Sequence, residues 1–239
     1  MKSLRHTLLA VLAVAMLGSA MAQEGGVAKP KVDGQLWLSA GADFKPFRKK
    51  SGRVSQPRFF RNLRMNGELG WKMDDNASRT KQVNLDAGAK YPLTSFMSVG
   101  AEYRYSIRPD KTNRSRIDLQ LWLKWKKDRI RADYRFEYEH TFIHERKLRT
   151  VLRNRLGLDY NIPKWKFDPS ISVESFTGLH YTGNQLVCMR YELGTDVDLD
   201  KKKKRTLGLA VRYDQSLNTA WPEHVWVLVI AFEQSFKKK

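Results

Sequence analysis

The residues of this chain best suited to chemistry are five histidines, a lone cysteine (Cys188) and short acidic runs. His140 and His144 stand four apart, the interval at which a helix aligns two metal ligands. The preceding stretch, Arg129 to Glu139, alternates polar and apolar residues, so His140 ends a strand and His144 belongs to the following loop. Side chains four apart are not aligned there. Asp196, Asp198 and Asp200 share one strand face and are of the type that ligates calcium. They lack the turn-forming glycine and ligand loop of a calcium motif, and read as partners for nearby cations. No metal or cofactor is expected. A lipid hydrolase needs a Ser or Thr nucleophile, a His base and an orienting polar group on one accessible surface. His180 and His224 fall in connections, and Ser170 and Ser172 on the charged face of their strand, so no catalytic residue is assigned and an enzyme is not expected.

The charge balance is strongly basic, with 44 Lys and Arg against 25 Asp and Glu and a net charge of +19. A nucleic-acid reader gathers its cations on one face, among aromatics that stack on bases. Here the strand-borne charges are mixed in sign, and the basic clusters lie at connections: Lys45 to Lys50, Arg58 to Arg64, Arg108 to Arg116 and Lys201 to Arg205. Nucleic acid is therefore not an expected partner. The first three clusters are placed outward by the topology below, where they face lipopolysaccharide phosphates or are simply solvated.

The elements that must carry these residues are strands. Between Arg116 and Lys126, Ile117, Leu119, Leu121, Leu123 and Trp125 alternate with polar residues, Trp122 being the one apolar intruder. Arg129 to Glu139 repeats the pattern. Strict period two puts one face in an apolar medium and the other among charges. The same reading places strands near Gln35–Phe44, Arg61–Met73, Val83–Tyr91, Met97–Ile107, Arg116–Trp125 and Arg129–Glu139. More follow near Val151–Tyr160, Phe167–Thr177, Leu186–Leu199, Thr206–Asp214 and Val225–Phe236. Their lengths suit tilted membrane-crossing strands.

At the start of the chain, a basic head (Lys2, Arg5, His6), an apolar run from Leu8 to Leu17 and Ala20-Met21-Ala22 have the layout of a cleaved secretory signal. Residues 1–22 are read as that signal, 23–31 as a short N-terminal segment and 32–239 as a single barrel. Lys2 and Arg5 would leave with the signal, and the mature chain would keep a charge of +17. One cysteine precludes a disulfide within the chain.

Bacterial membrane barrels have an even strand count, short periplasmic turns and longer external loops. Short connections alternate with longer ones here, which puts both termini in the periplasm and calls for one more strand, at Arg53–Phe60. The expected fold is thus all-β, a single antiparallel transmembrane barrel of about 12 strands. Aromatics near strand ends (Tyr103, Tyr105, Trp125, Tyr138, Tyr160, Tyr213) would form two interfacial girdles. A mean hydropathy of −0.56 beside nearly unbroken apolar faces fits a charged lumen. A soluble lipocalin-like barrel, apolar inside, is the alternative.

The segments Gln35-Leu36-Trp37-Leu38-Ser39-Ala40-Gly41, Gly100-Ala101-Glu102-Tyr103-Arg104-Tyr105 and Arg153-Asn154-Arg155-Leu156-Gly157-Leu158-Asp159-Tyr160 resemble those of the outer-membrane barrels catalogued as domain of unknown function 2490. The resemblance implies an outer-membrane barrel and brings no catalytic residues.

If Lys126-Lys127 is a two-residue hairpin loop, opposed positions sum to 253. Asp118 then faces Arg135, Arg116 faces Glu137 and Arg114 faces Glu139. Around Lys201–Lys203 a sum of 404 sets Glu192 against Arg212 and Arg190 against Asp214. These residues form the expected lumenal charge lattice, and a barrel of this size filled by long charged side chains would be narrow or closed. The expected role is structural, or passage of small solutes. A barrel-embedded lipid or lipid A hydrolase and a secreted soluble binding barrel are the alternatives.

Overall fold

The computed structural model describes residues 29–46, 58–142, 150–163, 165–180, 183–200 and 204–236. The signal at 1–22, most of the 23–31 segment, His144, Lys201–Lys203 and much of 53–60 lie outside the described residues.

Eleven strands make one closed sheet: β1 (Lys31–Phe44), β2 (Arg64–Asp74), β3 (Arg79–Pro92), β4 (Met97–Ile107), β5 (Arg114–Lys127), β6 (Ile130–Phe142), β7 (Thr150–Tyr160), β8 (Phe167–Leu179), β9 (Gln185–Asp198), β10 (Arg205–Ser216) and β11 (Glu223–Ser235). Neighbours in sequence pair antiparallel all the way round. The barrel closes by a parallel pairing of β1 with β11 that runs from Lys31↔Glu223 to Asp43↔Ser235. The all-β barrel read from the alternation is what the chain forms. The extra strand at Arg53–Phe60 is not: a short helix, α1 (Arg58–Asn62), occupies the end of that segment, and Phe59 stacks on Tyr91 with ring centroids 4.9 Å apart. The segment lacks the alternation that gives a strand one apolar face, and Pro57 precedes the helix. Without that strand the count is odd, so Lys31 and Ser235 lie at opposite ends of the barrel and not together.

The connections β1–β2, β3–β4, β5–β6, β7–β8 and β9–β10 share one end, here the tight-turn end, with the last residues of β11. The other five connections and the start of β1 share the far end. Of two basic clusters read as outward, the described residues Lys45 and Arg64 therefore belong to the same end as Lys204 and Arg205. Arg108 to Arg116 alone is at the other.

The interior is polar and the exterior apolar. Among the described residues Val227 is the one buried hydrophobic side chain. Gln35, Asn84, Asp86, Ser106, Asp118, Glu137, Arg153, Ser172 and Glu174 are buried. Leu69, Leu85, Leu119, Leu156, Leu193, Val211 and Leu228, by contrast, project outward from mid-strand and are about half exposed. A water-soluble barrel has the reverse distribution. No helix of the described residues is long and apolar enough to cross a membrane.

Glycines on the inner face make room for the neighbouring side chain. Gly100 is the tightest case: a Cβ there would stand 2.8 Å from the Ala89 carbonyl oxygen and 2.9 Å from the Trp122 ring. Trp122, the apolar intruder of β5, lies over that glycine, and Lys90 Nζ caps its ring at 3.3 Å.

Candidate functional site

The lumen holds the candidate site. Alternation sends Arg116 and Asp118 of β5, Arg135, Glu137 and Glu139 of β6, Arg190 and Glu192 of β9, and Arg212 and Asp214 of β10 inward. The β9–β10 register is the one that a sum of 404 predicts, with Arg212 opposite Glu192 and Asp214 opposite Arg190. The Arg190 fork meets the Asp214 carboxylate at 2.7 and 2.8 Å, and Arg212 Nε donates to Glu192 at 2.7 Å. Such two-point guanidinium–carboxylate contacts fix geometry as well as charge. The turn explains the register: the Asp200 carboxylate accepts from the backbone N–H of Lys204 and Arg205, so Leu199 pairs with Arg205.

The β5–β6 register differs from the expected one. Lys126 and Lys127 remain in β5, and Asp128-Arg129 is the two-residue turn, with Asp128 at φ 49° in the left-handed region that aspartate tolerates. Opposed positions then sum to 257. Asp118 faces Glu139, Gln120 faces Glu137, Trp122 faces Arg135 and Arg116 faces Thr141. Asp118 and Arg135, Arg116 and Glu137, and Arg114 and Glu139 are therefore not opposed.

The charges are matched across more strands instead. Arg116 contacts Asp118 at 2.7 Å on its own strand and Glu139 at 3.1 Å. Arg135 reaches past β7 to Glu174 on β8 at 2.8 Å. Arg153 of β7 sits between the groups: its Nη1 meets Glu137 at 2.6 Å and Glu139 at 3.3 Å, and its Nη2 lies 3.0 Å from Glu174. Glu174 also takes Arg190 at 3.4 Å, which joins the two hairpins into one network. Arg153, Arg155 and Glu174 are absent from the sequence-derived lattice. The available signal was their position on the charged face of β7 and β8. A second cluster on β3 and β4 has Arg104 donating to Asp86 at 2.7 Å and to Glu102 at 3.3 Å.

Oxygens of Asp118, Glu137 and Glu139 lie within 4.8 Å of one another, close enough for a cation to share. Arg116 and Arg153 supply the counter-charge there, and Asp118 Oδ1 is buried without a hydrogen-bond donor. Trp37 of β1 takes Lys72 Nζ at 3.6 Å and the Arg212 guanidinium at 4.7 Å over its ring. A cavity of about 610 Å³, lined from all eleven strands and including Trp37, Lys72, Arg104, Arg153 and Glu174, occupies the lumen. A second of about 600 Å³ extends it toward the tight-turn end past Trp122 and Lys124.

The other residues with chemistry are engaged locally. His140 Nδ1 is 3.0 Å from Thr150 Oγ1, directly across the β6–β7 ladder on the outer face. Among the described residues no carboxylate or amide hydrogen-bonds that ring. His224 similarly meets the Tyr213 hydroxyl at 3.1 Å. Ser172 is buried on the lumenal face, two positions along β8 from Ser170. Asp196 and Asp198 lie on β9, while Asp200 holds the turn.

A family model described as "Protein of unknown function (DUF2490)" matches residues 34–222. No curated protein matches the chain. Among solved structures, a bacterial polysaccharide outer membrane secretin aligns with a TM-score of 0.46 and 11% identity, over 68% of this chain and 61% of that one. The chain thus spans less than two thirds of that protein.

Proposed function

The chain belongs to the DUF2490 family, and we propose that it is an outer-membrane barrel whose charged lumen acts as a structural core with, at most, a narrow path for small solutes. The single observation that carries this reading is the inverted distribution of polarity: ion pairs inside, leucines and valines outside. Water would penalise that surface, whereas hydrocarbon accepts it and demands that every backbone group be paired, as a closed sheet does.

The lumen sets the scale of any passage. Cavities of about 610 and 600 Å³ follow one another along the lumen, and ion-paired side chains such as Arg104, Arg153 and Glu174 reach into the first. Charged side chains reaching inward in a barrel of eleven strands leave less room than the aqueous channels of porins with about 16–18 strands. With the tight turns in the periplasm, as is usual for such barrels, the Arg108–Arg116 cluster faces outward, toward lipopolysaccharide phosphates.

Two measurements test the reading. Cell fractionation should recover the mature protein, beginning at Gln23, with outer membranes. Unheated samples should migrate faster than boiled ones on SDS gels. Recovery in the soluble periplasm with no heat shift refutes the membrane assignment. Planar-bilayer recording should find no stable nanosiemens channels; finding them refutes the narrow lumen.

A further inference from the structure

Three cations converge at the tight-turn mouth of the lumen without a counter-ion. Deeper in, Arg104, Arg116, Arg135, Arg153, Arg190 and Arg212 each form a salt bridge with a carboxylate. Arg64 at the start of β2, Lys90 near the end of β3 and Lys124 near the end of β5 form none among the described residues, yet all three line the cavity of about 600 Å³. Arg64 and Lys90 are directly opposed in the β2–β3 ladder. Like charges so placed weaken a sheet. Arg64 Nε is buried with no hydrogen-bond acceptor. Lys90 Nζ has the Trp122 ring at 3.3 Å, and no acceptor among the described residues. Lys124 is exposed at the mouth, opposite Asp133, whose carboxylate meets Arg155 at 3.4 Å. Of the charges that act on Lys90, Lys124 and Arg64 are the strongest, ahead of Asp133. The inward residues of β4 between them are Ser98 and Gly100, small enough to leave the three cations facing one space. The acids of this cavity stand mostly deeper. Glu68 is four residues along β2 from Arg64, roughly 13 Å at about 3.3 Å per residue, and Glu233 lies across Gly41 from it. Glu102 contacts Arg104 at 3.3 Å. Asp43 of β1 is nearer the mouth but forms no salt bridge with the three cations.

We propose that Arg64, Lys90 and Lys124 form a binding site for a phosphate group, either inorganic phosphate or the end of a small phosphomonoester, that enters from the tight-turn end. The central ion-pair network does not use these residues, so the site goes beyond the structural role given to the lumen. It requires the closed barrel and not the membrane around it. A phosphate dianion has enough charge and acceptor oxygens to take a contact from each cation, and it relieves the repulsion between Arg64 and Lys90. The guanidinium supplies a planar fork and the two ammonium groups supply point charges, both suited to phosphate. Trp122 anchors the Lys90 ammonium at the cavity wall. Glu68, Glu102 and Glu233, deeper in, repel an anion from travelling further, so the site retains phosphate at the mouth instead of passing it down the lumen.

Titration calorimetry of the mature chain folded in dodecyl maltoside is the test. Inorganic phosphate, added in phosphate-free chloride buffer, should bind saturably at a single site per barrel. It should also raise the temperature at which the gel-shifted folded form is lost, and chloride at matched ionic strength should not. That rise is read on the unaltered protein, so it stands whether or not a variant folds. Arg64→Gln/Lys124→Gln, which leaves Lys90 on Trp122, should weaken binding about tenfold or more, as the loss of two charge-assisted contacts predicts. Lys127→Gln/Lys166→Gln removes two exposed cations of the same rim that do not line the cavity, and should bind as the unaltered protein does. Glycerol 3-phosphate should compete with phosphate. Micelles doped with phosphatidic acid should not, because acyl chains stay outside the closed sheet. No saturable binding by folded protein, equal binding by the two variants, or a chloride response as large as that to phosphate overturns the site. Competition by phosphatidic acid but not by glycerol 3-phosphate overturns its lumenal position. Phosphate binding by protein recovered from the soluble periplasm supports the site and refutes the membrane reading alone.

Discussion

Replacing Arg153 with methionine should be among the most damaging single changes in the lumen. Arg153 is 9% exposed, and its guanidinium lies 2.6 Å from Glu137, 3.0 Å from Glu174 and 3.3 Å from Glu139. At an effective dielectric of about 20, each contact of charges about 4 Å apart is worth about 4 kcal/mol before solvation is counted. Desolvation of several kcal/mol per ion offsets much of that, and removing one partner of a buried pair costs about 3–5 kcal/mol because the other is left stranded. Methionine keeps much of the volume and the contact with Phe176, so the loss isolates charge. Urea unfolding of the bilayer-inserted protein, followed by tryptophan fluorescence, measures it. Arg131→Met is the control: that residue pairs with Asp159 at 2.8 Å but its side chain is 55% exposed, and its loss should cost under about 1 kcal/mol. Adding Glu137→Gln to Arg153→Met should recover part of the stability. A loss at Arg153 no larger than at Arg131, or a double variant no better than the single, refutes the hub.

Further outcomes follow from the faces and registers. Leu119→Arg, on the outer face at mid-strand, should cost roughly 2–4 kcal/mol by the same unfolding assay, and Gln120→Arg, one residue along but inward, far less; similar costs contradict the assigned faces. Glu192→Arg and Arg212→Glu should each weaken the barrel, and their combination should restore most of the heat-resistant folded form, since the two residues face each other. Gly100→Val should cost about 1–3 kcal/mol, because the new side chain meets the Ala89 carbonyl and the Trp122 ring. Trp122→Ala should relieve only part of that loss, the backbone contact remaining.

Period two made the strands legible and also limited what else could be read. Alternation assigns each residue a face, and that assignment survives any shift of an opposed-pair sum by an even number. Sums of 253 and 257 both turn Asp118 and Glu137 inward, yet one sets Asp118 against Arg135 and the other against Glu139. Four residues of register hung on whether the chain turned at Lys126-Lys127 or at Asp128-Arg129. Only the backbone of Asp128 distinguishes them, by its left-handed φ. At the other hairpin Asp200 closes the turn with two backbone bonds, and the 404 register follows. The hub escaped detection for a different reason. Arg153 and Glu174 meet their partners across β6, β7 and β8, beyond the reach of pairing within a single hairpin. The eleven strands stand one short of the about 12 expected because an even number was required of the chain, and a parallel closing pair satisfies the sheet with an odd one.

That closing pair also bears on how the barrel is made. Ten of its eleven ladders join strands adjacent in sequence and can zip locally as the chain becomes available. The eleventh joins Trp37 to Val229, across nearly the full length of the chain, and its loop-closure entropy is met only at the end. Until then β1 and β11 are open edges, each with a row of unpaired amides and carbonyls that hydrocarbon will not satisfy. Closure of the seam is therefore the committing step of assembly. The partly zipped sheet that precedes it is the species most exposed to wrong partners, so slowing the seam should raise misassembly before it lowers the stability of barrels that have closed.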